Sequence, residues 1–219
     1  MNVGTRWTFF SAILALGGLA LVYGLVNAKE GSEIPKESTT LGIGGKVADF
    51  ELTDTEGKKH SLAAYLDGDT VVVLEWFNPQ CPYVRKYHAG GNPSMKEAYA
   101  FAEKRGVVWL AINSNDPGKP GGDPELSSKA REEFGMEYPI LLDGGGTVGQ
   151  AFGTTSTPQI IIISEERKVI YNGGVDDTVL HTDEPSINYV IHALELHLED
   201  KPVEPATTPH PGCAIKYAK

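Results

Sequence analysis

The sequence predicts an α/β sandwich: a mixed sheet, parallel in its centre and antiparallel at one edge, with helices packed on its faces. Three observations carry this. Apolar runs rich in β-branched residues and lacking polar alternation recur at 70–77, 107–113 and 156–164, the pattern of strands buried on both faces. Segments of helical period lie between them, so strands and helices alternate. Late in the chain STPQIIIIS and KVIYNG face each other across an EERK turn, which adds an antiparallel hairpin.

The elements follow in order. Val47, Phe50 and Leu52, the DTEGK turn and KHSL predict a first hairpin. TVVVLEWF is a central strand that NPQCP breaks. Pro82 has no amide hydrogen to lose at a first helical position, so a helix is expected to start there. Gly90, Gly91 and Pro93 interrupt it, and it resumes as SMKEAYAFAEKRG with Met95, Ala98, Tyr99 and Ala102 on one face. VVWLAIN is the next buried strand. The irregular stretch 114–124, SNDPGKPGGDP, is a candidate functional rim. ELSSKAREEFG, YPILLD, GTVGQAFG, the late hairpin and a helix within EPSINYVIHALELHLEDK complete the domain. The proline-rich tail either runs extended over the domain or hangs free.

Residues 1–28 stand apart. Arg6 precedes an uncharged apolar run, Trp7 to Val26, and Val26-Asn27-Ala28 offers the small residues of a cleavage site. This reads as a secretory signal; an uncleaved membrane anchor through residues 7–26 is the alternative. Either way the protein is expected to be exported, to the periplasm or the extracellular space. The organisation is therefore 1–28 signal or anchor, 29–40 linker, 41–199 domain and 200–219 tail. The formal charge of the 219 residues is −10, and removing the first 28 takes away only Arg6 among charged groups. So acidic a chain repels phosphate backbones, which excludes nucleic acid as the expected partner.

The chemistry gathers around Cys81. It follows the central strand and opens the first helix, where free amides and the helix dipole favour a thiolate. Arg85, one turn on, is expected to reach back towards the sulfur. Glu75 lies inside the apolar run, where burial would raise a carboxyl pKa and suit it to pass protons; an edge position or a basic partner would make it structural. Pro158, after Thr157 and before an apolar strand, is a candidate cis proline.

These pieces resemble the thioredoxin superfamily over about residues 41–199: a cysteine at a helix start after a central strand, an acid six positions upstream, and Thr-Pro before a late strand. CPYVRKYH, AINSND, YPILLD leading into FGTTSTPQ, and GCAIKY resemble a peroxiredoxin-like subgroup of the AhpC/TSA-like, or redoxin, proteins. The resemblance implies a thioredoxin-like three-layer sandwich and a thiol-dependent oxidoreductase. It implies reacting roles for Cys81, Cys213, Glu75, Arg85 and Pro158, and substrate contacts at Pro82, Thr157 and Asn78. It implies a thiol or disulfide protein, or a small peroxide, as substrate and a separate reductase as partner, without a cofactor or resident metal. Two positions depart from the parent patterns. Val84 stands where thioredoxins have a second cysteine, and Asn78 where peroxiredoxins have threonine.

Cys213 is the one other thiol. It reads as a resolving cysteine, a permanent staple for the tail, or an unlinked thiol. Two further functions stay open. One is a copper-binding module using Cys81 or Cys213 with His88, His181 or His210; the other is an inert binding domain. His60, beside a lysine pair on an edge strand, is expected to be solvated, as is the Asp176-Asp177 turn.

Overall fold

The computed structural model describes residues 41–179 and 185–219. The expected signal or anchor, the linker and His181 lie outside the described residues. Among the described residues, no helix is long and apolar enough to cross a membrane.

The chain runs β1 (Glu51–Asp54), β2 (Lys59–Ser61), α1 (Leu62–Leu66), β3 (Val72–Trp76), α2 (Pro82–His88), α3 (Ser94–Glu103), β4 (Val108–Asn113), α4 (Pro124–Phe134), β5 (Ile140–Leu142), α5 (Thr147–Phe152), β6 (Ser156–Thr157), β7 (Gln159–Ile163), β8 (Val169–Gly173), α6 (Tyr189–Leu198) and β9 (Cys213–Ala214). Seven strands form one sheet in the order β2-β1-β5-β4-β3-β7-β8, and β6 pairs with β9 in a small second ribbon.

The three inner strands β5, β4 and β3 are parallel, as their apolar runs predict. The antiparallel part is larger than expected. β7 and β8 close one edge, and the first hairpin closes the other, with β1 antiparallel to β5. A hairpin's place in a sheet depends on contacts far along the chain, so the local pattern predicts the hairpin and not its neighbour.

Alternation along β3 divides the core. Val73 and Phe77 face the layer that holds Cys81, Val84, Met95, Ala98 and Leu194. Val72, Leu74 and Trp76 face Leu62, Leu66, Val148 and Phe152. Every residue of β3 and β7 is buried.

Capping follows the chemistry of the end residues. Cys81 is the N-cap of α2 with Pro82 behind it, Asp123 caps α4 ahead of Pro124, and Asn188 caps α6 by accepting from the Ile191 amide. Helix α1, five residues capped by Ser61, carries too few turns to leave a periodic signal, and the sequence reading has no element there. The tail runs over the domain. Ala206 accepts from the Asn172 amide at 2.9 Å, and Thr208 Oγ1 accepts from Gly174 at 3.0 Å.

Two solvation expectations are overturned. His60 is 5% exposed. Its Nε2 lies 2.7 Å from Asp54 Oδ2 and its Nδ1 2.5 Å from the Tyr65 hydroxyl, so the first hairpin is tied to α1. Asp176 is buried as well, and its carboxylate is filled by Tyr87, Asn92, Ser94 and Thr178. Both acids enter the interior because the fold supplies donors, which a buried carboxylate requires.

Burial alone would raise the Asp54 carboxyl, but the His60 bond and the Lys58 and Glu56 amides outweigh it and hold the group below its ordinary 3.8. A depressed folded value means the stabilisation is complete above the unfolded value and fades as pH falls through the folded one. Asp54→Ala should therefore cost about 1.5–3 kcal/mol at neutral pH in urea unfolding. The gap to the parent protein should narrow in acid below the ordinary carboxyl value.

Candidate functional site

The site forms where β3 hands over to α2. Asn78 shapes the crossing: its carbonyl accepts from the Cys81 amide at 3.0 Å and its Oδ1 accepts from the Gln80 amide at 2.9 Å. Its Nδ2 donates to Pro120 O at 3.4 Å, drawing in the 114–124 loop. Gly121, at φ +83°, lets that loop lie against the Asn78 amide where a Cβ would collide.

Cys81 then opens α2 in an extended conformation, φ −75° and ψ 123°. It is 1% exposed, so the expected accessible thiol is covered in this conformation. Thr157 and Cys213 supply the cover. The Cys81 Sγ donates to Thr157 O at 3.0 Å, and the Thr157–Pro158 peptide bond is cis. Thr157 also pairs across the small ribbon with Cys213. Tail and helix start thus converge on one point, and neither cysteine is in a disulfide.

Two groups act on the Cys213 thiol there: the Cys81 sulfur and the Tyr83 backbone amide. Tyr83 is the second residue of α2, so its N–H is one of the amides without a partner inside the helix. Burial, then the bond to Cys81, then the Cys81 charge push the Cys213 thiol up to about 12, against a weaker pull from the Tyr83 amide and Lys216. Cys213 therefore keeps its proton at neutral pH and offers it to its neighbour.

Other sequence-predicted residues lie differently. Arg85 turns away from the sulfur: its guanidinium bonds Glu133 at 2.7 Å and lies 5.1 Å from the centre of the Phe134 ring. The end of α4 gives it a carboxylate and an aromatic face instead of the sulfur. Val84, at the place of a second local cysteine, is fully buried hydrocarbon.

Glu75 is 0% exposed and bonded to neither an arginine nor a lysine. Its Oε1 lies 2.8 Å from His88 Nε2, and its Oε2 accepts from Trp109 Nε1 at 3.2 Å and from the Tyr138 hydroxyl at 2.8 Å. Burial and the charge of Glu75 hold the Tyr138 phenol well above its ordinary 10, so it is a fixed donor. The sequence reading gave His88 no place outside the copper alternative. The signal that finds it is the carboxylate: a buried acid on β3 needs donors, and His88 is one turn beyond the buried Val84 on the inward face of α2. A cleft of about 470 Å³, lined by His88, Met95, Tyr99, Phe134 and Tyr138 among others, opens beside this network.

For the copper reading, no group of three or more metal-ligating side chains occurs among the described residues. His210 bonds Ser156 Oγ at 2.7 Å. The expected rim at 114–124 is the tail's dock: the Asp116 amide donates to Lys216 O at 2.9 Å and the Lys216 amide to Asn115 Oδ1 at 3.0 Å.

The sequence profile of the Redoxin family matches residues 31–191. A thiol-disulfide oxidoreductase ResA from Geobacillus thermodenitrificans is 33% identical over 134 residues, 61% of this chain and 70% of that protein. A second ResA, from Halalkalibacterium halodurans, is 27% identical over 82% of this chain and 94% of its own length. Two solved structures superpose with a TM-score of 0.71 over 83% of this chain: a hypothetical protein from Sinorhizobium meliloti 1021, 26% identical over 97% of that chain, and an uncharacterized conserved protein from Geobacillus kaustophilus, 29% identical over 95%.

Two tests follow from the geometry. Cys81→Ala removes two of the three causes that raise Cys213, so thiolate absorbance at 240 nm should rise at lower pH than the parent's Cys213 does. Glu75→Ala strands three buried donors and should cost about 3 kcal/mol or more in urea unfolding.

Proposed function

This chain belongs to the Redoxin family, and from that premise we propose that it is an exported thiol-disulfide oxidoreductase in which Cys81 is the nucleophile and Cys213 the resolving thiol. One observation carries the reading: Thr157 accepts from the Cys81 thiol and pairs with Cys213 across the small ribbon, which brings both cysteines to the amino-terminal mouth of α2. The tail supplies the second thiol that Val84 replaces in the local position.

In the reducing direction, the Cys81 thiolate attacks one sulfur of a partner disulfide. A Cys81–partner mixed disulfide forms, the partner S–S bond breaks, and the second partner sulfur leaves as thiolate and takes up a proton. Cys213 then loses its proton and attacks the Cys81 sulfur. The Cys81–Cys213 bond forms, the mixed disulfide breaks, and the first partner sulfur leaves and is protonated. Two electrons have passed to the partner. A dithiol reductase restores both thiols by the same exchange run in reverse.

Asn78 favours a disulfide over a peroxide as substrate. Its amide is occupied by Gln80 and Pro120, and it offers no hydroxyl to orient a peroxide. Thr157 offers backbone groups to an extended substrate, while Pro82 and Pro158 shape the entrance without adding donors. Glu75 serves from below, anchoring α2 to β3 through His88. The apolar run 7–26 and the Val26–Ala28 site motivate export, and amino-terminal sequencing of the mature protein tests cleavage after Ala28.

Cys81→Ser should lower insulin-disulfide reduction by a factor of about 100 or more. Cys213→Ser should retain the first step and accumulate a Cys81-linked mixed disulfide, seen as an added mass under non-reducing conditions. Full reductase activity in Cys81→Ser overturns the reading.

A further inference from the structure

A disulfide partner must bring sulfur to within about 3–3.5 Å of Cys81, yet Cys81 is 1% exposed beneath β9. The covering strand has to leave and come back. Its ladder is short, with only Ser156 opposite Ala214 and Thr157 opposite Cys213, and a two-stranded ribbon of that size does not hold itself together in water. The adjoining bonds, Ile215 N–H to Thr155 O at 3.1 Å, the Asp116 amide to Lys216 O and the Lys216 amide to Asn115 Oδ1, engage the tail through its backbone.

Tyr217 is different. Its hydroxyl donates to Thr154 O at 2.8 Å and lies 2.9 Å from Thr154 Oγ1. Its ring edge fills the space over Gly146, where a Cβ would collide with it. A Cβ at Gly149 would lie 2.5 Å from the Tyr217 hydroxyl and 2.7 Å from Ser114 Oγ. Gly146 has a backbone reason to be glycine, φ +70°. Gly149 sits inside α5 with no positive φ, where glycine disfavours a helix relative to alanine. The close approach of Tyr217 and Ser114 accounts for it. This is a formed pocket for one aromatic side chain, four residues beyond Cys213.

We propose that Tyr217 is a positioning residue for the Cys81–Cys213 exchange, the latch that returns Cys213 to Cys81 after β9 has lifted to admit a partner. The tail is held on both sides of Cys213: by Thr208, whose hydroxyl meets Tyr171 and Gly174, and by Tyr217. Releasing Tyr217 leaves a strap hinged at His210, whose ring and carbonyl meet Ser156 Oγ. Cys213 then searches a larger volume, and its effective concentration at Cys81 falls. The latch rests on the exchange reading above, but its test is separate.

The experiment compares the full-length parent with Tyr217→Ala, Tyr217→Phe and Thr154→Val. The first readout is the equilibrium constant for Cys81–Cys213 disulfide formation against glutathione. The second is the rate at which iodoacetamide alkylates reduced Cys81. Tyr217→Ala should lower the equilibrium constant about tenfold, near 30 mV towards a less negative potential, and raise the alkylation rate about tenfold, with the urea midpoint of the core unmoved. Tyr217→Phe and Thr154→Val should fall between, and their double variant should equal Tyr217→Phe alone, because removing the Tyr217 hydroxyl already removes its contact with Thr154 Oγ1 as well as that with Thr154 O. Thiol equilibria and alkylation rates equal to the parent's in all variants, with Cys81→Ser inactive, overturn the latch and leave the exchange intact. A shift that tracks the urea midpoint also overturns it, since general loosening then explains the data. An active Cys81→Ser removes the exchange itself.

Discussion

Thr157 is the residue through which the rest of the site is joined. Its carbonyl oxygen receives the Cys81 thiol, and its backbone pairs with Cys213. A single backbone position therefore sets the distance between two thiols that are far apart in sequence. Both sulfurs lie at the start of α2, where Pro82 contributes no amide and Tyr83 contributes one. The charged side chain that acts on Cys213 is Lys216 of the tail. Arg85, the nearest candidate on the helix, is committed to Glu133 and Phe134.

That arrangement demands a rigid floor. β3 supplies it, being paired on both sides and buried throughout. Glu75 adds a polar pin to an otherwise apolar layer: three donors from α2, β4 and the segment before β5 converge on its carboxylate. A buried acid so satisfied resists sliding of α2 along the sheet, because any shift leaves a donor or an oxygen unpaired at a cost of about 1–3 kcal/mol. The roof has the opposite character. β9 is two residues long and the tail touches the domain mainly through backbone groups, so it can open without disturbing the floor.

Several parts were legible because they depend on neighbours in the chain. The parallel core strands announced themselves as uninterrupted apolar runs. The start of α2 followed from Pro82, and the break before α3 from Gly90, Gly91 and Pro93. Cys81 at a helix mouth needed nothing more than those local rules. His60, Arg85 and His88 were misjudged for one shared reason. The partners that decide their roles are Asp54 with Tyr65, Glu133 with Phe134, and Glu75. For Arg85 those partners lie on another helix and for His88 on the sheet beneath, where no sequence spacing expresses the contact.

Sequence alone determined the longer strands and helices, where Cys81 sits, and that the local second cysteine is absent, because hydrophobic period, proline geometry and residue identity act over a few residues. Tertiary structure decided that the first hairpin closes the far edge of the sheet, that Glu75 is held by His88, and that the tail lies on the helix mouth with Cys213 beside Cys81. Those outcomes arise from pairing across long stretches of chain, in which two-residue strands and backbone-directed bonds leave no periodic trace in the residues that make them.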